Sequence, residues 1–405
     1  GMLKDFAEAV RKNYYDSKLR GVDFEKRVKS EEDWIRQATH LGEALTAVAA
    51  LVEPLQDSHT FFTPPDRPFR VDYGFVIQAI GQRFFVTALR PKTDAEAKLK
   101  VGDEILTMEG FVPTRRTWWS MEHIFERVDP RPRLRFEVRG TDNVARRADV
   151  FPKVTRTSAQ MDFTTASDGR DIWKMIREQE TAWMLRQQRS WESGDAALIW
   201  KMPEFILTED EMDHMIGLAR KHKTLILDLR GNPGGSVVML ERLVGSVMDR
   251  DVQIAKRVGR KPDLKPQEAK TRGKDAFTGK LIVLIDSRSA SAAELFARVV
   301  QLEKRGVVIG DTSSGAVMEA RFFFMSQGID TKIFYGASIT EADLIMADGR
   351  SLENNGVAPD EVVLPTTADL ATGSDPVLSR AAELAGIKID SAAAGKLFPI
   401  QWMPE

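Results

Sequence analysis

Cysteine is absent from the chain, so disulfides, thiolate metal sites and a cysteine nucleophile are all excluded. Histidine is scarce. His40, His59, His123, His214 and His222 are scattered without an H-E-x-x-H pair, which leaves a dedicated zinc site without its ligand spacing, and no metal or other cofactor is expected. Neither sign of charge is in excess: 58 Lys+Arg against 60 Asp+Glu give a formal net charge of -2, so nucleic acid and anionic membranes are not expected partners. Long hydrophobic runs are missing too. The most apolar stretch, Ala44 to Val52, falls far short of the roughly 20 residues a membrane-spanning helix needs, and the amino end has no basic-then-apolar signal pattern. Gly1 ahead of Met2 reads as a residue left by tag cleavage, which leaves room for an export signal in a natural precursor.

What remains is ordinary globular material: 405 residues, 42% hydrophobic and 29% charged, enough for two or three domains with sizeable cores. The pattern predicts four segments. Residues 1–66 carry apolar side chains at helical spacing (Phe6, Val10, Tyr14; Trp34, Ala38, Leu41, Leu45), with Ser30 before three acidic residues as a helix start and Pro54 as a stop. Residues 67–155 hold short β-like runs broken by Gly and Pro and read as a small β-rich domain. Residues 156–195 are polar with three spaced tryptophans, Trp173, Trp183 and Trp191, and read as a helical connector whose tryptophans form seams. Over 196–405, β-runs alternate with helical stretches, as expected of an α/β domain whose strands are buried on both faces.

Two places in that last domain suggest chemistry. The apolar run Leu281 to Ile285 leads through Asp286-Ser287-Arg288-Ser289-Ala290-Ser291 into an amphipathic helix. Ser291-x-x-Glu294 fits a capping box; a serine there would also sit beside the backbone donors and positive dipole end that stabilise an oxyanion. The run Leu225 to Leu229 ends in Arg230-Gly231-Asn232-Pro233-Gly234-Gly235, a turn that is either structural or a source of a second oxyanion donor. Gly310 to Gly315 has the glycine spacing of a phosphate loop, but Ala316 and Val317 stand where Lys and Ser/Thr are needed, which disfavours a nucleotide.

Together these motifs resemble the C-terminal processing, or tail-specific, serine protease family. Its best-known branch uses a Ser-Lys dyad, and Ala316 occupies the lysine position, so another base is required. Asp57-Ser58-His59-Thr60 and Leu352-Glu353-Asn354-Asn355-Gly356-Val357 are similar to the tricorn-like branch instead. That resemblance implies Ser291 as nucleophile and His59 as general base, with Ser58 and Glu353 orienting the imidazole. It implies an oxyanion hole from the backbone N–H groups of Gly234 and Ala292, with the choice between Gly234 and Gly235 left open. The β-rich segment resembles a PDZ domain through Tyr73-Gly74-Phe75-Val76 and Leu99-x-Val101-Gly102-Asp103-Glu104-Ile105-Leu106, which implies a carboxylate-binding loop at Gly74, Phe75 and Val76. Peptides or unfolded protein ends are the implied substrates and an extracytoplasmic compartment the implied setting. The alternative function is a non-catalytic ligand- or peptide-binding protein on the same scaffold.

Overall fold

The computed structural model describes residues 1–156, 187–328 and 332–402. Continuous apolar runs in the second half form a six-stranded sheet in the order β18-β15-β14-β11-β10-β9. Its strands are β9 (Arg189–Ser193), β10 (Ala197–Lys201), β11 (Thr224–Asp228), β14 (Lys280–Ile285), β15 (Val307–Gly310) and β18 (Glu361–Val362). All are parallel except the edge strand β9. Alternate residues of each strand face opposite layers, which is why the runs are apolar throughout. Leu198, Leu227 and Val283 pack under helices Glu209–Ala219, Val237–Val247 and Ala292–Leu302. Ile199, Ile226 and Ile282 meet helices Pro376–Leu384 and Ser391–Leu397 on the other face.

A second sheet joins the two ends of the chain. Strands β1 (Phe61–Thr63), β12 (Val252–Gly259), β13 (Gln267–Ala269), β16 (Met318–Gln327) and β17 (Ile333–Ile345) assemble around β17, with Phe62 opposite Ala337. Three helices, Met2–Asn13, Phe24–Gln37 and Leu41–Ala50, cover it. The first turns Leu3, Phe6, Ala7 and Val10 inward, the stripe expected of 3.6-residue periodicity. These side chains share one core with Phe62, Tyr335, Ala337 and Ile339, so the amino-terminal helices are built onto the carboxyl-terminal half.

Between them lies an antiparallel sheet in the order β3 (Phe75–Ile80), β4 (Arg83–Leu89), β5 (Glu104–Met108), β6 (Leu134–Arg139), β7 (Ala145–Val150). Its ends are drawn together by β2 (Phe69–Asp72) paired with β8 (Lys153–Arg156). Phe84, Val86, Ile105, Phe136 and Val138 form its core.

Two expectations are corrected here. Ser30 starts no helix: it lies inside Phe24–Gln37, whose cap is Asp23 accepting from the Lys26 N–H, and of the acidic run Glu31 is buried against Arg27 at 3.0 Å while Asp33 is exposed. The connector expected to be helical up to 195 is strand at Arg189–Ser193, because the edge of β10 offers backbone partners and Trp191 finds cover beneath the carboxyl-terminal helices. Trp173 and Trp183 lie outside the described residues. No helix among the described residues is long and apolar enough to cross a membrane.

Candidate active site

The loops that follow β11, β14 and β15 converge at the carboxyl ends of the parallel strands, where open α/β sheets bind ligands. Three serines occupy the loop after β14, and their hydroxyls are used differently. Ser287 Oγ donates to the Ala79 carbonyl at 2.6 Å and Ser289 Oγ to the Leu229 carbonyl at 2.8 Å. Ser291 makes no cap hydrogen bond with its side chain, although that side chain stands in a capping-box arrangement toward the Glu294 N–H. Its backbone is held at φ 54°, ψ −117°, a conformation that L-residues enter only under constraint. The constraint is visible: the Ser291 N–H donates to the Ala316 carbonyl at 2.9 Å and to Glu294 Oε2 at 3.0 Å.

The glycine turn after β11 lies directly against this serine. A Cβ on Gly234, at φ +97°, would stand 2.7 Å from Ser291 Cβ and 3.0 Å from the Ala292 nitrogen, so only glycine fits. Asn232, fully buried, fixes the turn. Its Nδ2 donates to Met202 O at 2.9 Å, its Oδ1 accepts from the Gly234 N–H at 2.8 Å, and its carbonyl accepts from the Ala290 N–H at 2.9 Å. The Gly234 N–H is therefore committed. Gly235 and Ala292, in contrast, carry N–H groups with no acceptor among the described residues, and Gly235 is exposed.

His59 lies on the segment just before β1. Asp57 Oδ1 accepts from the His59 and Thr60 N–H groups at 2.9 and 3.0 Å, shaping the turn that carries the imidazole. Ser58 Oγ lies 2.7 Å from His59 Nδ1 and donates to Glu353 Oε2 at 2.8 Å; Glu353 Oε1 accepts from the Ser58 N–H at 2.7 Å. One hydroxyl proton cannot serve two partners. With Glu353 ionised that proton goes to the carboxylate, so Nδ1 must carry a hydrogen and donate to Ser58, which leaves the Nε2 lone pair free. Burial pushes Glu353 up to about 7, aided by the Asp57 charge and opposed by its donors. Burial also holds His59 below its ordinary value, against the attraction of Asp57.

The two groups meet on one peptide unit. The Ala316 carbonyl takes the Ser291 N–H, and the Val317 N–H of the same peptide donates to Glu353 Oε2 at 2.9 Å. Ser58, His59 and Glu353 are thus joined by hydrogen bonds, Ser291, Gly234 and Ala292 by close packing, and the Ala316–Val317 peptide links the sets. Gly74, Phe75 and Val76 lie elsewhere, at the start of β3. The Gly74 N–H donates to Asp72 Oδ1 at 2.9 Å, and the next outward carbonyls of that edge strand, Ile77 and Ala79, accept from Arg288 and Ser287 of the nucleophile loop. Asn232, Asp57 and Ser313 belong to the site without having been singled out from sequence; an asparagine inside a glycine turn was the available signal for the first.

Comparison with known proteins shows what this chain is similar to. Residues 197–363 match the Peptidase family S41 model. Over 180 residues it is 31% identical to the tail-specific protease of Haemophilus influenzae, covering 42% of this chain and 25% of that protein. The putative tricorn protease homolog 2 of Streptomyces coelicolor is 30% identical over 168 residues, 40% of this chain and 13% of that protein. The carboxyl-terminal-processing protease of Synechocystis is 28% identical over 163 residues, 39% and 36% respectively. The matched regions thus span between 13% and 36% of the length of these relatives. Two solved structures share the fold: mature CPAF complexed with lactacystin (TM-score 0.65, 15% identity, 91% of this chain and 95% of that one) and the photosystem II D1 C-terminal processing protease (TM-score 0.54, 16% identity, 98% of each).

Proposed function

We propose that this chain is a serine endopeptidase acting on peptides or unfolded protein ends, with Ser291 as nucleophile and His59 as general base. The observation that carries the reading is the Ser58–His59–Glu353 relay, bonded through a single peptide unit to the backbone of Ser291. Ser291 Oγ attacks the scissile carbonyl carbon while His59 Nε2 accepts its proton. The oxyanion is received by the Ala292 N–H and, in place of the committed Gly234 group, by that of Gly235. The C–N bond then breaks as His59 returns the proton to the leaving amine. Water attacks the acyl-enzyme ester with the same base, releasing the acid and regenerating Ser291. Ser58 and Glu353 act through the imidazole as positioning residues.

Residues 67–155 are read as a PDZ-like module. Its β3 edge is taken up by Ser287 and Arg288, which supports a docking role against the nucleophile loop in this state rather than an open receptor at Gly74–Val76. An extracytoplasmic setting goes with the family resemblance.

The test is proteolysis of a denatured protein by purified chain. Ser291→Ala and His59→Ala should each lower kcat/KM by roughly 10⁴-fold or more, and chelator should leave the wild type unchanged. Undiminished cleavage by either variant overturns the assignment.

A further inference from the structure

We propose that Glu294, one helical turn beyond Ser291, is a positioning residue that holds the nucleophile's backbone in its reactive shape; this rests on the serine peptidase reading above. The carboxylate is fully buried and surrounded by donors. Oε1 accepts from Ser313 Oγ at 2.6 Å and the Gly315 N–H at 2.7 Å, while Oε2 accepts from the Ser291 N–H at 3.0 Å and the Ala316 N–H at 2.9 Å. Each oxygen takes two hydrogen bonds, which fills the acceptor capacity of an ionised carboxylate.

An ordinary capping glutamate needs none of this. A reciprocal capping box would occupy the serine hydroxyl with the backbone N–H three residues on. Here the Glu294 N–H bonds the Ser291 carbonyl instead, at 2.9 Å. Both halves of a capping-box arrangement are present at this helix start, but only the carboxylate half is a full hydrogen bond: the Ser291 side chain stands toward the Glu294 N–H without a cap hydrogen bond to it. Glu294 also fastens Gly315 and Ala316 beside the helix start, and Ala316 is the residue whose carbonyl accepts the Ser291 N–H. One carboxylate therefore sets the positive-φ serine and registers it against the peptide that bears the Glu353 contact.

Glu294→Gln is nearly isosteric but replaces one acceptor oxygen with a donor that faces hydrogen-bond donors. Two quantities test it: the second-order rate of labelling of Ser291 by a fluorophosphonate, and kcat and KM on a fluorogenic peptide. Folded Glu294→Gln should label about 10²-fold more slowly, with kcat reduced to match and KM within about 3-fold of wild type, a split that general loosening of the fold does not produce. Labelling within 3-fold of wild type overturns the inference. If Glu294→Gln fails to fold, Ser313→Ala, which deletes one of the four donors, should label roughly 10-fold more slowly, and an unchanged rate overturns it equally. Wild type that takes label at Ser291 while folded Glu294→Gln takes it as fast sinks only the role of Glu294; wild type that takes no label at Ser291 sinks the peptidase reading and this inference together.

Discussion

An imidazole serves as a base only when its lone pair faces the proton it must take, and in the mechanism we propose that is decided at a distance, by the charge on Glu353. Protonating Glu353 would let it donate to Ser58, free the Ser58 proton for Nδ1 and leave the hydrogen of neutral His59 on Nε2, where it blocks catalysis. Because burial pushes both Glu353 and Glu294 to about 7 while His59 is held below its ordinary value, the proposed mechanism assigns the acid limb to these carboxylates rather than to the imidazole. kcat/KM should fall about tenfold per pH unit below about pH 7; an acid limb confined to pH 5 and below would refute this. Stability runs the other way. A carboxyl whose folded-state value is raised binds more protons folded than unfolded between about 4.5 and 7, so its contribution is present in acid and lost as pH rises through 7. The melting temperature of wild type relative to Glu353→Gln should accordingly be more favourable at pH 5.5 than at pH 8, as measured by scanning calorimetry.

The strand ends are where elements become a site. Asp228 closes β11 almost fully buried, and burial opposes its charge; yet Arg230 and Lys201 hold its carboxyl far below the usual range. Arg230 clamps Asp228 at 2.8 Å and Asp375 at 2.7 Å, so the glycine turn leaves the strand in one direction only. Arg230→Ala strands a buried carboxylate and should cost about 3–5 kcal/mol, read as a lowered denaturation midpoint; a loss below about 1 kcal/mol would mean the network is relaxed by water. Element types were legible where period and flanking residues agreed, as for the strand Leu281–Ile285 and the helix Ala292–Leu302. They were not at Ser30 or Arg189–Ser193. A cap signal inside a longer helix is overridden by an earlier cap, and an edge strand is defined by a neighbour that no local window contains.

Across the whole molecule, the segment that carries His59 is tied to the amino-terminal helices. They share a core with β17, and β1, which begins two residues after His59, is paired into the same sheet. Phe6 is fully buried with its ring centroid 5.7 Å from that of Phe62. Phe6→Ala should cost about 3–5 kcal/mol and reduce peptidase activity at temperatures where wild type is fully folded, as followed by parallel chemical denaturation and activity assays. Unchanged activity alongside that loss of stability would show that the relay does not depend on this core.

The sequence by itself marked the buried sheet and the glycine turn, because these follow from local pattern, while the hydroxyl, the imidazole and the carboxylate were singled out by family resemblance. Which serine hydroxyls are taken up, which glycine N–H remains available and how Glu294 is used were decided only by tertiary structure. Hydrogen-bond satisfaction depends on which groups the fold brings together: the Ser287 hydroxyl is taken by the Ala79 carbonyl, the Gly234 N–H by the side chain of Asn232, and the Ser58 hydroxyl beside the imidazole by a carboxylate from far along the chain.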